Sequence, residues 1–395
     1  MGFQSDVEKI FQANRRVTDT YQYTVPSPTA YPYQWLWDSC FHAIILSYFD
    51  LQSAKKEIRS LLARQFDNGM IPHIIYWEEG DVINFDWGTE GTSSITQPPM
   101  LAYAVRRIFE CDGDEKFLEE VYRNLFHFYK YLINERDPHE RNLIGIINPD
   151  ESGEDDSPRF DHLLNLPPVH SLEENLEKRL ALVKENKKCN FDAPFCMKNF
   201  FWVKDVPFNS IMVENLAALA HIADKLGRAY DANYFNRARE EIIESMRKLM
   251  FQDGIFWSTF GEDYRSIKVK TWAIFAPLFG EICEKEDARR LVEEHLLNEK
   301  EFWTTYPIPT VSLDEPSFNP HGFWRGPTWF ASNWFVYHGL RKYGFNDIAK
   351  ELAQKSLALI EKSGFRENFN PHNGTGLGAK QFTWGGLILD MGIEK

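Results

Sequence analysis

Residues 151–158 read ESGEDDSP, four carboxylates with a glycine and a proline in eight positions. Ser152-Gly153 turns the chain there and Pro158 stiffens its exit. A carboxyl with carboxylate neighbours and a partly dry aromatic surround has its pKa raised, as a general acid requires. A solvated acidic turn is the plainer reading of the same run. Glu367, in FRENFNPHNGTG, is a second candidate. One carboxyl to protonate a leaving oxygen and one to activate water is the minimum set for glycoside hydrolysis. Two acidic loops alone do not separate that chemistry from solvated turns.

The aromatic residues narrow the choice. YPYQWLWDSCFH carries Tyr33, Trp35, Trp37 and Asp38, FWRGPTW carries Trp324, Arg325 and Trp329, and Trp384 opens the last apolar run. Sugars offer flat C–H faces to rings and hydroxyls to Asp, Gln, Arg and His. Each Trp taken alone is as well explained by core packing, but the clustering at the starts of apolar helical runs favours a pocket. Gln97 in TSSITQPP stands at another such start, where a buried amide needs partners. His73 in GMIPH is either a polar wall residue or a satisfied structural histidine. Walker, GxGxxG and HExxH motifs are absent. GTGLG at Gly374–Gly378 reads as following no strand, so it is discounted as a phosphate cradle.

These residues need a scaffold, and the helical periodicity supplies one. QPPMLAYAVRRIFE is followed by EKFLEEVYRNLFHFYKYLI, and VENLAALAHIADKLG by ANYFNRAREEIIESMRKLM. KTWAIFAPLFGEIC precedes ARRLVEEHLL, and GPTWFASNWFVYHGLRKYG precedes IAKELAQKSLALIEKS. WDSCFHAIILSYFD with LQSAKKEIRSLLARQF makes a fifth pair. In each pair the first run is apolar on most sides and the second is amphipathic. Residues 5–18 and the terminal FTWGGLILDMGI supply two more helices, roughly twelve in all. The pattern predicts an all-α (α/α)6 barrel, an inner ring of helices within an outer ring, over residues 1–395 as one domain. An open solenoid is the alternative, but the repeats are irregular and no polar capping repeat is visible.

The long loops, rich in Trp, His, Pro and Gly, all follow outer helices and precede inner ones. They are expected to rim one mouth of the toroid. The stretch of about 162–205 breaks the repeat with the charged segment LEENLEKRLALVKENKK and an aromatic tail. It is expected to be an exposed insertion capping the mouth as a lid, since it begins beside ESGEDDSP.

Composition excludes other classes. The formal charge of -14 argues against nucleic acid or an anionic membrane as a partner. No apolar run of bilayer length and no apolar N-terminal leader is read. Five scattered cysteines suggest reduced thiols in a cytoplasm, without a zinc site. No cofactor is implied, and the oligomeric state is not legible.

WLWDSCFHA, GMIPH, SSITQPP, ESGEDDSP, WRGPTWFASNW and ENFNPHNGTG…FTWGG, in that order from Tyr31 to the C-terminus, resemble glycoside hydrolase family 63. The likeness is to its compact mannosylglycerate and glucosylglycerate hydrolases. The resemblance implies an (α/α)6 barrel and hydrolysis of an α-glycosidic bond with inversion. It implies Asp155 as the acid and Glu367 as the base. It also implies Trp35, Trp37, Asp38, Gln97, Trp324 and Arg325 as sugar-site residues. Asp156 stands where the family has Asn after the acid. Gly385-Gly386 follow Trp384 where Ser or Thr and Ala are usual. The insertion after Asp161 is also particular to this chain.

The expected activity is therefore inverting hydrolysis of a short α-glycoside, the small carbohydrate being the only partner. A glycerate carboxylate would need a cation at the mouth, for which Arg159 and Arg325 are the candidates, while a neutral disaccharide such as an α-glucoside is the rival substrate. A non-catalytic sugar-binding toroid, a phosphorylase and an epimerase are the other classes, less well served by the Asp155 and Glu367 pair.

Overall fold

Every one of the eleven residues of LWDSCFHAIIL is buried, the polar Asp38, Ser39 and His42 included. Such a helix is stable only inside the molecule. The computed structural model describes residues 2–78 and 85–392 and puts this segment in an inner ring. Its helices in chain order are α1 Phe3–Asn14, α2 Leu36–Leu46, α3 Leu51–Leu62, α4 Leu101–Asp112, α5 Glu115–Glu135, α6 Asp161–Leu164, α7 Leu172–Lys188 and α8 Ala193–Asn199. There follow α9 Val206–Lys225, α10 Ala229–Leu249, α11 Ala276–Phe279, α12 Lys285–Arg290, α13 Phe330–Lys342 and α14 Asn346–Ser363.

The ring closes. Going round, α2 packs on α4, α4 on α9, α9 on α11 and α11 on α13. Then α13 packs on a 3-10 segment at Thr383–Asp390, which returns to α2. Outside them, α3, α10 and α14 pair with α2, α9 and α13, α5 lies against α4 and α9, and α1 lies on the closing segment. Six inner and six outer elements, counting α12 with the turn Leu291–Leu296, make the (α/α)6 barrel among the described residues. Among them no helix is long and apolar enough to cross a membrane.

Local chemistry explains the boundaries. The Asp50 side chain caps α3 by accepting from Ser53 N–H, and Asp114 caps α5. Gly113, at φ 65°, ends α4 in the left-handed turn that separates the two. Asp205 caps α9, with Pro207 in its first turn.

Two expected helices are shorter than their patterns. KTWAIFAPLFGEIC forms a 3-10 turn at Trp272–Phe275 and the single turn α11. Pro277 has no N–H to donate and sits at the start of α11, where none is needed. FTWGGLILDMGI is 3-10 rather than α. A Cβ on Gly386 would come 2.9 Å from Ile45 and 3.1 Å from Val7, so this closing segment sits where α1 and α2 leave no room for a side chain.

The stretch after Asp161 differs from the expected exposed segment. Leu172, Leu176, Arg179 and Val183 recur at helical spacing on one face of α7. Arg179, Leu182 and Val183 are buried. Ser171 and Glu174 form a capping box at its start. Cys189 and Cys196 are joined as a disulfide, against the reduced thiols expected, and tie the end of α7 to α8. That bond removes the cysteine argument for a reducing compartment. Cys40, Cys111 and Cys283 are free thiols.

Candidate active site

One cavity of about 410 Å³ opens at the end of the barrel where the long loops gather. Its wall includes Trp35, Trp37, Asp38, His73, Gln97, Asp155, Trp324, Glu367 and Trp384, positions singled out in seven separate segments of the chain. Burial of the rings holds the wall rigid. Trp324 stacks on Trp329 with centroids 3.8 Å apart and planes 8° apart. Trp37 meets Trp384 edge-on at 5.2 Å. Ring pairs of this kind contribute about 0.5–1.5 kcal/mol each beyond their buried area.

The ESGEDDSP run is not a solvated turn. Glu151 is fully buried, bound to Arg136 at 2.8 Å, and accepts from Thr96 and Ile147 N–H. It thereby fixes the loop that carries Gln97. Glu154 is buried against Arg159 at 3.0 Å and accepts from Trp272 Nε1 at 2.8 Å. Asp156 is buried beside His170, 3.4 Å away. Asp155 alone of the four lines the cavity, where Arg179 of α7 meets its Oδ2 at 2.8 Å. Gly153 makes this turn possible. Its φ is +73°, and a Cβ there would lie 2.4 Å from the Trp37 ring.

Glu367 comes from the strand Arg366–Phe369, which pairs antiparallel with Gly376–Lys380. Its Oε1 accepts from Tyr31 Oη at 2.6 Å and its Oε2 from Ala379 N–H at 2.7 Å. Burial raises its pKa to about 6 against the lowering pull of these two bonds. GTGLG therefore does follow a strand, and its role is local. Gly378, at φ +61°, brings the backbone so close that a Cβ would sit 2.3 Å from Glu367 Oε2.

The polar wall is satisfied by its neighbours. Trp384 Nε1 donates to Asp38 Oδ1 at 2.8 Å, and burial raises the Asp38 pKa to about 6. The Gln97 carbonyl accepts from Trp37 N–H at 3.3 Å. His73 Nδ1 meets Ser93 Oγ at 2.7 Å, and burial followed by the charge of Arg179 lowers its pKa to about 3, so it is neutral.

Three expected positions lie outside the cavity wall. Tyr33 packs behind it, on Trp35 and Tyr76. Arg159 is buried within the loop scaffold, bound to Glu154, Asp205, Ser157 and Thr271. Arg325 bonds Asp161 through both amino groups, at 2.9 and 2.6 Å, and donates to the carbonyls of Asp156 and Pro168. Both arginines hold the acidic loop and neither is available to a ligand.

A family model for the mannosylglycerate hydrolase MGH1-like glycoside hydrolase domain matches residues 31–385. A mannosylglycerate hydrolase of Thermus thermophilus is 33% identical over 93% of this chain and 95% of its own length. The glucosylglycerate hydrolase of Mycolicibacterium hassiacum is 27% identical over 93% of each. A crystal structure of a GH63 mannosylglycerate hydrolase from Thermus thermophilus, in complex with Tris and D-glycerate, superposes with a TM-score of 0.89. It is 31% identical, and the match covers 99% of both chains.

The chain belongs to the mannosylglycerate hydrolase-like glycoside hydrolases.

In this glycoside hydrolase, sequence reasoning missed Tyr31, Asp150 and Arg179 on the cavity wall. Arg179 binds Asp150 Oδ1 at 2.6 Å as well as Asp155. A signal for it existed in the spacing of Leu172, Leu176 and Arg179, which puts all three on one side of α7. No local signal distinguishes Tyr31 from Tyr33.

Proposed function

We propose that this glycoside hydrolase cleaves a short α-glycoside whose aglycone is a small 2-hydroxy acid, of the mannosylglycerate or glucosylglycerate kind, with inversion. Asp155 protonates the glycosidic oxygen, and Glu367 takes a proton from the water that attacks the anomeric carbon. Inversion calls for carboxyl groups about 6.5–9.5 Å apart, with that water between one of them and the sugar. The unlike settings of the two support unlike roles. Glu367 accepts from two neutral donors and lines the cavity, whereas Asp155 pairs with a cation beside the groups that would receive the aglycone.

The observation that carries the substrate class is Arg179. Among the described residues it is the one permanent cation on the cavity wall, and it stands at Asp155, where the leaving group must lie. A neutral disaccharide offers that guanidinium hydroxyls but no opposite charge. The relatives named for glycerate glycosides and the D-glycerate of the Thermus crystal structure support the same class. The cavity volume of about 410 Å³ suits a ligand of that size. The segment from α6 to α8 acts as a lid, since α7 contributes Leu172, Leu176 and Arg179 to the wall.

Proton NMR of the first anomer released tests the reading. Incubation with mannosylglycerate and glucosylglycerate is expected to release the β-anomer of one sugar. An initial α-anomer would overturn inversion. Turnover of neutral α-disaccharides in preference to both would overturn the acidic aglycone.

A further inference from the structure

Arg179 is placed to do more than bind. Its Nε donates to Asn175 Oδ1 at 2.8 Å, within its own helix. Its Nη1 carries both Asp150, at 2.6 Å, and Asp155, at 2.8 Å. Its Nη2 makes no hydrogen bond among the described residues. A carboxylate binds guanidinium best through two parallel N–H bonds. With Nε occupied, the fork left for an incoming carboxylate is Nη1 with Nη2. Taking that fork means displacing a carboxylate from Nη1.

Two carboxylates on one guanidinium already leave one negative charge uncompensated, in a site where Arg179 is buried. A third carboxylate makes it two. Excess like charge in a poorly solvated site is relieved by taking up a proton. An ion pair also favours carboxylate over carboxylic acid, and a carboxylate has no proton to donate.

We propose, on the acidic-aglycone reading given above, that the substrate arms the enzyme: its carboxylate takes Arg179 from Asp155, and Asp155 takes up a solvent proton to deliver to the glycosidic oxygen. The proton then leaves on the hydroxyl of the released acid. Glu367 takes the proton lost by the attacking water and returns it to solvent, so protons balance over the cycle. A neutral glycoside leaves the Arg179–Asp155 pair intact and is bound without being activated. Discrimination then falls on kcat and not on KM alone.

Several groups face Asp155: Asp150 and Asp156 on its own loop, Arg179 on α7, Glu367 on its strand, Tyr31 on the loop before α2, and Asp38 on α2. Asp150 is the competitor for the proton, since burial already raises its pKa to about 6.

The test is calorimetric titration of the intact protein with D-glycerate near neutral pH, in buffers of different ionisation enthalpy, with a neutral triol of similar size as control. Binding of glycerate is expected to draw up close to one proton per site. Asp155→Asn is expected to abolish the uptake and Asp150→Asn to keep it. Arg179→Met should lose glycerate binding, while its kcat on a neutral aryl α-glycoside rises several-fold and the alkaline limb of kcat moves up. Arg179→Lys should restore part of the uptake. A merely structural Arg179 would lower both substrates' kcat together. Glycerate binding without proton uptake, or uptake lost in Asp150→Asn instead, would overturn this inference and leave the substrate reading standing. If neither glycerate nor any acidic glycoside binds, both fall.

Discussion

Tyr31 donates its phenolic proton to Glu367 Oε1 at 2.6 Å, across 336 residues of sequence. The loop before the first inner helix and the hairpin before the last inner segment meet there, because the ring closes between them. The bond holds one carboxylate oxygen and lowers the Glu367 pKa against the effect of burial. Tyr31→Phe is expected to reduce kcat by about 10- to 100-fold and to move the acidic limb of activity to higher pH. A pH profile measured beside circular dichroism checks this, and an unmoved limb would reduce Tyr31 to packing.

Asp155→Asn and Glu367→Gln should each cost at least about a thousandfold in kcat, with secondary structure and melting retained. Single-turnover assays on mannosylglycerate and glucosylglycerate decide it. Near-normal turnover in Glu367→Gln would show that another group activates the water.

Activity is expected to fall as pH drops through about 6, the raised pKa of Glu367. The sign follows from the role. A general base works only when ionised, and burial makes ionisation harder, so the limb lies above the ordinary carboxylate range. His73, lowered to about 3, is already neutral there and adds nothing to the limb. The plot of kcat/KM against pH, which reports the free enzyme, is the measurement.

Arg159→Met should destabilise the fold by about 3–5 kcal/mol, since it strands the buried carboxylates Glu154 and Asp205 without their cation. The denaturation midpoint measures it. A variant of unchanged midpoint would mean that Trp272 and Ser258, which also bond these carboxylates, suffice.

Gly153→Ala pairs backbone strain with a clash. The position has φ +73°, and the new Cβ would meet the Trp37 ring at 2.4 Å. A loss of about 1–3 kcal/mol is expected from strain and overpacking together. Activity should fall further than stability explains, because Trp37 forms the cavity wall and Asp155 follows two residues later. Comparing kcat/KM with the melting temperature separates the two effects.

Much of this enzyme was legible in one dimension. Apolar runs alternating with amphipathic ones could be satisfied only by burying the first kind within the second, which predicts the double ring. That order also assigns the Trp-rich loops to one mouth, and six ordered motifs assign the family. Even the limits of the inner elements had a local cause, as at Pro277. The partners of the charges were not legible. In ESGEDDSP the four carboxylates look alike, yet Arg136, Arg159 and the pair of His170 and Arg325 bury three of them and leave Asp155 facing the cavity. Arg159 and Arg325 had the right charge in the right segments and were consumed by that scaffold, while Arg179 came from a helix that reads as solvent-exposed. Periodicity and composition are properties of neighbours along the chain. Which cation meets which carboxylate is decided only in the folded loop, where Arg159 turns back on Glu154 five residues away and Arg325 reaches Asp156 across 169.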